Sequence, residues 1–229
     1  MKSRAYNMDC MSGMEMYPDK HFDLAIVDPP YGIKQDGHRA NNRSKLAKSK
    51  KYHKALWNMS APDGAFFEEL FRISKNQIIF GANHFISKIP IDSSCWIVWD
   101  KNNSGHFADC ELAWTSFGTA VRQFTYTWNG MVQEDMRDKE IRIHPTQKPI
   151  ALYRWILRNY TKPGDKILDT HLGSGSSRIA CSEAGYDFTG FEFDEKYFAA
   201  SEERFQKYIS QGNMFRSEVQ KPMLQEVLL

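Results

Sequence analysis

The chain has 229 residues, 41% of them hydrophobic and 25% charged, a composition that suits one globular domain with enough chain to bury a core. No apolar run approaches the roughly 20 residues needed to cross a bilayer, and the N-terminal MKSRAYNMDC lacks the apolar centre of a signal peptide, so neither a membrane protein nor a secreted one is expected. The net charge of +2 conceals a basic tract, Lys34 to Lys54, with eight Lys or Arg against one acid, Asp36, which leaves the remainder of the chain acidic.

Short apolar runs rich in β-branched and aromatic residues predict strands at 22–28, 76–81, 95–100, 110–117, 166–170 and 187–193. The first ends in DPPY, where an acid, two prolines and a tyrosine stop the strand on a stiffened turn. The basic tract follows directly and reads either as a solvated loop or as a contact for a polyanion. The stretch 119–144 is polar with scattered aromatics and reads as a small insertion. Pro149 suits a first helical turn, and Ile150, Tyr153, Ile156, Leu157 and Tyr160 then repeat on one helical face. A second helix runs from Ser176 to Ala184 and stops at Gly185, and Asp194 can cap a third that carries Phe198, Phe205, Tyr208 and Ile209. From Gly212 the tail is expected to be loosely held. Strand–helix alternation with nearly continuous apolar strands predicts an α/β fold, doubly wound around a mostly parallel sheet with helices on both faces. Cys10, Cys95, Cys110 and Cys181 stand far apart without a CxxC pair, which argues against a zinc cluster or a disulfide framework and fits a reducing cytoplasm.

The segment KILDTHLGSGSSRIACSEAGYDFTGFEF places Asp169 at a strand end, Gly173 and Gly175 in a turn, a helix after them, and Glu192 at the end of the next strand. Such a unit lets backbone approach a ligand and offers the second acid to ribose hydroxyls. Arg178 stands where GxGxxG has its third glycine, and there is no GxxxxGK[ST], so the loop suits an adenosyl ligand without a pyrophosphate. An ordinary strand–helix turn is the plain alternative.

DPPY and DTHLGSGSS together resemble the catalytic motif and cofactor loop of the S-adenosylmethionine-dependent amino-directed DNA methyltransferases, in the permuted order of the beta group. YNMDCMSGM, IIFGANHF, WIVWDKNN, ELAWTSF and HPTQKP resemble further segments of that family, so the likeness runs from Tyr6 to Ile209. It implies a Rossmann-like class I methyltransferase with a seven-stranded-type sheet, a catalytic half over 1–118, a target-recognition insertion at 119–144, a cofactor half over 145–211 and a tail over 212–229. It also implies S-adenosylmethionine as cofactor, S-adenosylhomocysteine as product, no metal, double-stranded DNA as substrate and a homodimer, in a prokaryotic or phage setting. By the same resemblance Asp28 and the Pro29 carbonyl accept the amino hydrogens of a flipped adenine, Pro30 stiffens the turn, and Tyr31 stacks on the base. Asp9, with its neighbour Cys10, meets the adenine of the cofactor, Glu192 its ribose, and Asp169, Gly173, Ser174, Gly175, Thr146 and Lys148 its methionine end. Arg39, Arg43, Lys45, Lys48, Lys50 and Lys51 would grip DNA phosphates. Thr170 and His171 depart from the Asp-Pro-Phe usual in the family's loop, and His171 reads as a packing residue. Asp28 at the head of the motif leans toward adenine over cytosine-N4, since Ser is commoner in the cytosine group. An inactive DNA-binding relic is a third reading, against which the intact turn argues.

Overall fold

The computed structural model describes residues 1–32, 61–103, 108–129 and 132–215. Ten strands and five helices occur among them: β1 (Ser3–Asn7), α1 (Cys10–Glu15), β2 (Phe22–Val27), α2 (Gly64–Ile73), β3 (Ser74–Phe80), β4 (Trp96–Asp100), β5 (Cys110–Thr115), β6 (Arg122–Thr125), β7 (Trp128–Asn129), β8 (Val132–Gln133), α3 (Ile150–Tyr160), β9 (Lys166–Asp169), α4 (Ser176–Ala184), β10 (Asp187–Glu192) and α5 (Glu195–Phe215). Eight of the strands form one sheet in the order β1-β10-β9-β2-β3-β5-β4-β6. All neighbours in it are parallel except those of β5, which runs antiparallel to β3 and β4. The expected seven-stranded type is thus present with an eighth strand, β6, at the edge. That strand comes from 119–144, so part of the stretch read as an insertion extends the main sheet, while β7 and β8 pair as a separate ribbon.

Period-two alternation in the strands feeds both faces. Leu24 and Ile26 of β2 join Ile78, Phe80, Ile97 and Ile167 in a core packed against α3 and α4. Ala25 and Val27 join Ile79, Trp114 and Leu168 in a second core beneath α1 and α2. The strands that read as continuous apolar runs are therefore those buried on both sides.

The helix ends follow local chemistry. Gly175 and Gly185 flank α4 with left-handed φ of 73° and 81°, and the Asp194 carboxylate accepts from the N–H groups of Lys196 and Tyr197 at the start of α5. Pro149 sits just outside α3, at its N-cap in extended conformation, rather than within its first turn. The α5 backbone continues past Gly212 to Phe215.

The register of β2 against β9 positions the site. Leu24 lies opposite Ile167 and Ala25 opposite Leu168, in parallel. The turn after β2 and the glycine loop after β9, more than a hundred residues apart in sequence, leave the same end of the sheet side by side. From β9 the chain winds toward β10, and from β2 toward β3, so this is a switch point of the sheet, where ligands of open α/β folds bind.

Candidate active site

At the end of β2 the chain turns through Asp28, Pro29 and Pro30. Two prolines carry no N–H and fix φ, so sheet pairing ends here and the Asp28 carboxylate is held at the strand mouth. Its Oδ1 accepts from the Tyr31 hydroxyl at 2.8 Å, and its Oδ2 is ion-paired with Lys148 Nζ at 2.5 Å. The Tyr31 ring stacks on His84 at a centroid distance of 5.0 Å and 16° between planes. Gly81 makes room for it: at φ 67° this residue is left-handed, and a Cβ there would collide with the Tyr31 ring. One face of the ring is thus occupied by His84, which the turn after β3 supplies, and the hydroxyl is committed to Asp28.

Lys148 is 3% exposed and its ammonium meets three oxygens: Asp28 Oδ2, Glu111 Oε2 at 3.2 Å, and the Tyr31 hydroxyl at 3.4 Å. The Glu111 contact is an ion pair only, since Glu111 Oε2 accepts no hydrogen bond. Phe80 lies beneath it, 4.7 Å from Nζ to the ring centroid. Glu111 in turn accepts from Lys101 Nζ at 2.5 Å. Burial pushes the Asp28 carboxyl above its ordinary value, with Lys148 drawing it back and Glu111 adding to the rise. Burial acts the same way on Glu111, but Lys148 and Lys101 outweigh it and hold that carboxyl down at about 2. Tyr31 is held well above its ordinary value by burial and by Asp28, so it stays a donor.

A cleft opens beside this cluster, lined among others by Asp9, Cys10, Pro30, His144, Thr146, Lys148, His171, Gly173, Ser174 and Glu192. Glu192 accepts one backbone N–H on each oxygen, Gly173 at 2.8 Å and Asp194 at 2.9 Å, which leaves lone pairs for hydroxyl donors. Asp9 caps α1 by accepting from Ser12 N–H at 3.0 Å. Burial raises Cys10 to about 12, a neutral thiol. It lowers His144 to about 3 and His171 to about 4, so both line the cleft as neutral rings.

The other predicted cofactor residues are placed differently from one another. Gly173, Ser174 and Thr146 line the cleft; Gly175 sits behind it, where a Cβ would approach Ser201. Asp169 is buried, and its carboxylate accepts from Ser177 Oγ at 2.5 Å and His171 N–H at 3.0 Å. Burial raises it to about 7. Lys148, expected at the methionine end, lines the cleft but spends its ammonium on Asp28 and Glu111. Arg39, Arg43, Lys45, Lys48, Lys50 and Lys51 lie outside the described residues. Glu111, Lys101 and His84 belong to the cluster around Asp28 and Lys148 and do not stand out in the sequence as site residues. The lone acid within the apolar CELAWT of β5 is the one signal there, a buried charge in need of a partner.

The family profile described as DNA methylase matches residues 116–203 of the chain. YubD of Escherichia coli (strain K12), named a methylase, is 24% identical over 92% of this chain and 94% of its own length. The M1.HpyAVI–SAM complex shares the fold with a TM-score of 0.55 at 23% identity, over 88% of this chain and 98% of that one. PvuII DNA methyltransferase, described as cytosine-N4-specific, does so with a TM-score of 0.60 at 13% identity, over 93% and 92%.

The chain is thus similar to DNA methylases over 116–203 and to YubD over most of its length, and it shares its fold with methylases solved in complex with S-adenosylmethionine.

The residues of the cleft fit that cofactor. Carboxylates stand at the ends of β1 and β10, where a nucleoside's amino and hydroxyl donors need acceptors. Among the described lining residues the cationic side chain is Lys148, already ion-paired, so nothing there is prepared to receive a pyrophosphate. Among the described residues, too, no group of three or more His, Cys, Asp or Glu is placed to hold a metal ion, and no helix is long and apolar enough to cross a membrane.

Proposed function

We propose that this chain is an S-adenosylmethionine-dependent DNA methyltransferase that acts on the exocyclic amino group of adenine, flipped out of double-stranded DNA. The observation that carries the reading is the Asp28 carboxylate, fixed by Tyr31 and Lys148 at the mouth of β2 and opening on the same cleft as Asp9 and Glu192. An adenine amino nitrogen is a poor nucleophile because its lone pair is delocalised into the ring. Asp28 and the Pro29 carbonyl each accept one amino hydrogen, draw the nitrogen toward tetrahedral geometry and free that pair. The prolines hold both acceptors before the base arrives, so the positive charge that develops on nitrogen meets a preorganised field. Tyr31 orients Asp28 through its hydroxyl and presents the ring face away from His84 to the base.

S-adenosylmethionine, when bound, supplies the electrophilic methyl group. Glu192 would accept from its ribose hydroxyls and Asp9 from its adenine amino group, Gly173, Ser174 and Thr146 would hold its methionine end, and Asp169 braces the glycine loop through Ser177 and His171. Extrusion of the base costs a few kcal/mol, and the basic tract 34–54, which continues from the catalytic turn, offers the phosphate contacts to offset it. A dimer of such chains is consistent with the permuted motif order.

The deciding experiment is methyl transfer from labelled cofactor to duplex DNA, followed by nucleoside analysis. Labelled 6-methyladenine is expected. Label in 4-methylcytosine would establish the second reading, which shares every step above and which the fold also accommodates, as PvuII methyltransferase illustrates. DNA binding without transfer would overturn both.

A further inference from the structure

We infer that Glu111 is a positioning residue for the methyl-transfer step, which shares Lys148 with Asp28 and so keeps the Asp28 carboxylate available to the substrate amine. The inference rests on the role given to Asp28 above and deepens it. Lys148 reaches the site from the HPTQKP segment and is almost wholly buried, with three oxygen partners. Asp28 Oδ2 already meets this desolvated ammonium at 2.5 Å, and with no second acid beside it the whole field of the cation would fall on the carboxylate and weaken it as an acceptor for an amino hydrogen. Glu111 enters from β5 on the other side of the ammonium, at 3.2 Å, and its negative charge offsets part of the ammonium's field at Asp28. Lys101, at the end of β4, balances Glu111 in turn at 2.5 Å. The result is a row of alternating charge, Lys101–Glu111–Lys148–Asp28, terminated by the Tyr31 hydroxyl.

The geometry also says why the row is needed in this place. Asp28 belongs to the turn after β2 and Glu111 to β5, on opposite sides of β3 in the sheet. Lys148 bridges them across the strand mouth above Phe80, so it ties the catalytic turn to the far half of the sheet. The other titratable groups facing Asp28 are Tyr31 from its own turn, Tyr153 from α3 and Asp169 from β9. The two tyrosines are held protonated by burial, and Asp169 is common to every variant below.

The test uses Glu111→Gln and Lys101→Met, which remove opposite charges from the same row. Glu111→Gln leaves Lys148 to Asp28 alone: kcat is expected to fall on the order of ten-fold or more, KM for S-adenosylmethionine to change less than about two-fold, and the acid limb of kcat to move to lower pH. Lys101→Met removes a positive charge, and the acid limb is expected to move to higher pH. The carboxyl 13C resonance of Asp28 in the cofactor-free protein, assigned with Asp28→Asn, should titrate with the same two opposite displacements. Limbs and resonance that stay put, or move the same way in both variants, would overturn the inference and leave Glu111 a structural acid. If Glu111→Gln does not fold, Lys101→Met and the resonance alone decide. Full turnover in Asp28→Ala would instead overturn the underlying reading of the site, whatever Glu111 does.

Discussion

The two corners of the cleft hold their acids by opposite means. At the catalytic corner, Asp28 and Glu111 are bracketed by Lys148 and Lys101, and charge answers charge across distances of 2.5–3.2 Å. At the cofactor corner, Asp169 and Glu192 meet hydroxyl and backbone N–H donors instead of cations, and burial raises both carboxyls above their ordinary values, as it does that of Asp28, with no cation to draw them back. The contrast separates two tasks. On the proposed reading Asp28 meets positive charge building on substrate nitrogen and works best ionised, and Lys148 draws it back toward that form against burial. An acid that receives neutral hydroxyl donors, or braces a loop, needs geometry more than charge, which short bonds to backbone provide.

The sharpest way to break this comparison is to remove the acid that needs its charge. Asp28→Ala should lower kcat by about a thousand-fold or more, with cofactor affinity within about two-fold of wild type; single-turnover kinetics and calorimetric titration with S-adenosylmethionine check both. Near-normal turnover would erase the distinction between the corners.

The cofactor corner has its own signature in pH dependence. Asp169 titrates at about 7 in the folded protein against an ordinary 3.8. The folded state therefore holds the proton more tightly, so the stability this group contributes is present below about pH 4 and is lost as pH rises through 7. A shift of that size corresponds to roughly 4 kcal/mol as an upper bound. Asp169→Asn mimics the protonated form, and denaturant titrations between pH 4.5 and 8 should show that segment of the slope removed. An unchanged slope would mean that the acid is ionised in place and that the two corners are alike.

A smaller effect is expected at Gly81, beneath Tyr31. Gly81→Ala forces a Cβ into the Tyr31 ring at a left-handed φ. Overpacking should cost roughly 1–3 kcal/mol in denaturant midpoint, and kcat should fall because Tyr31 can no longer hold Asp28. Least dramatic is the basic tract. Changing Lys48, Lys50 and Lys51 together to Ala should weaken duplex binding and reduce the slope of log K against log salt by up to about 2.7, at roughly 0.9 for each phosphate no longer neutralised. A slope equal to wild type would assign the tract to solvent.

Much of the architecture is legible in the sequence because local rules carry it. The α4 bounds follow from Gly175 and Gly185, which alone tolerate the left-handed ends, and the central strands announce themselves as apolar runs because both faces are covered. Where local signals are weak, elements escape a reading of the sequence. β1 is a half-exposed edge strand whose SRAYN has no apolar stripe. β6 reads RQFT, too short and too polar to stand out. α2 is equally easy to miss, although Asp63 caps it and Phe66, Phe67, Leu70 and Ile73 line its buried side.

The same division runs through the site. By itself the sequence determined the chemistry available: an acid on a proline-stiffened turn, a glycine loop without a phosphate signature, and two further strand-end acids, each recognisable because its neighbours restrict backbone or supply caps. Only the tertiary structure decided how they combine. It set β2 beside β9, paired Lys148 with Asp28, and brought Glu111 and His84 into the cluster around them. Spacing along a chain carries no record of such partnerships, since a buried charge is satisfied by whichever strand the sheet places next to it.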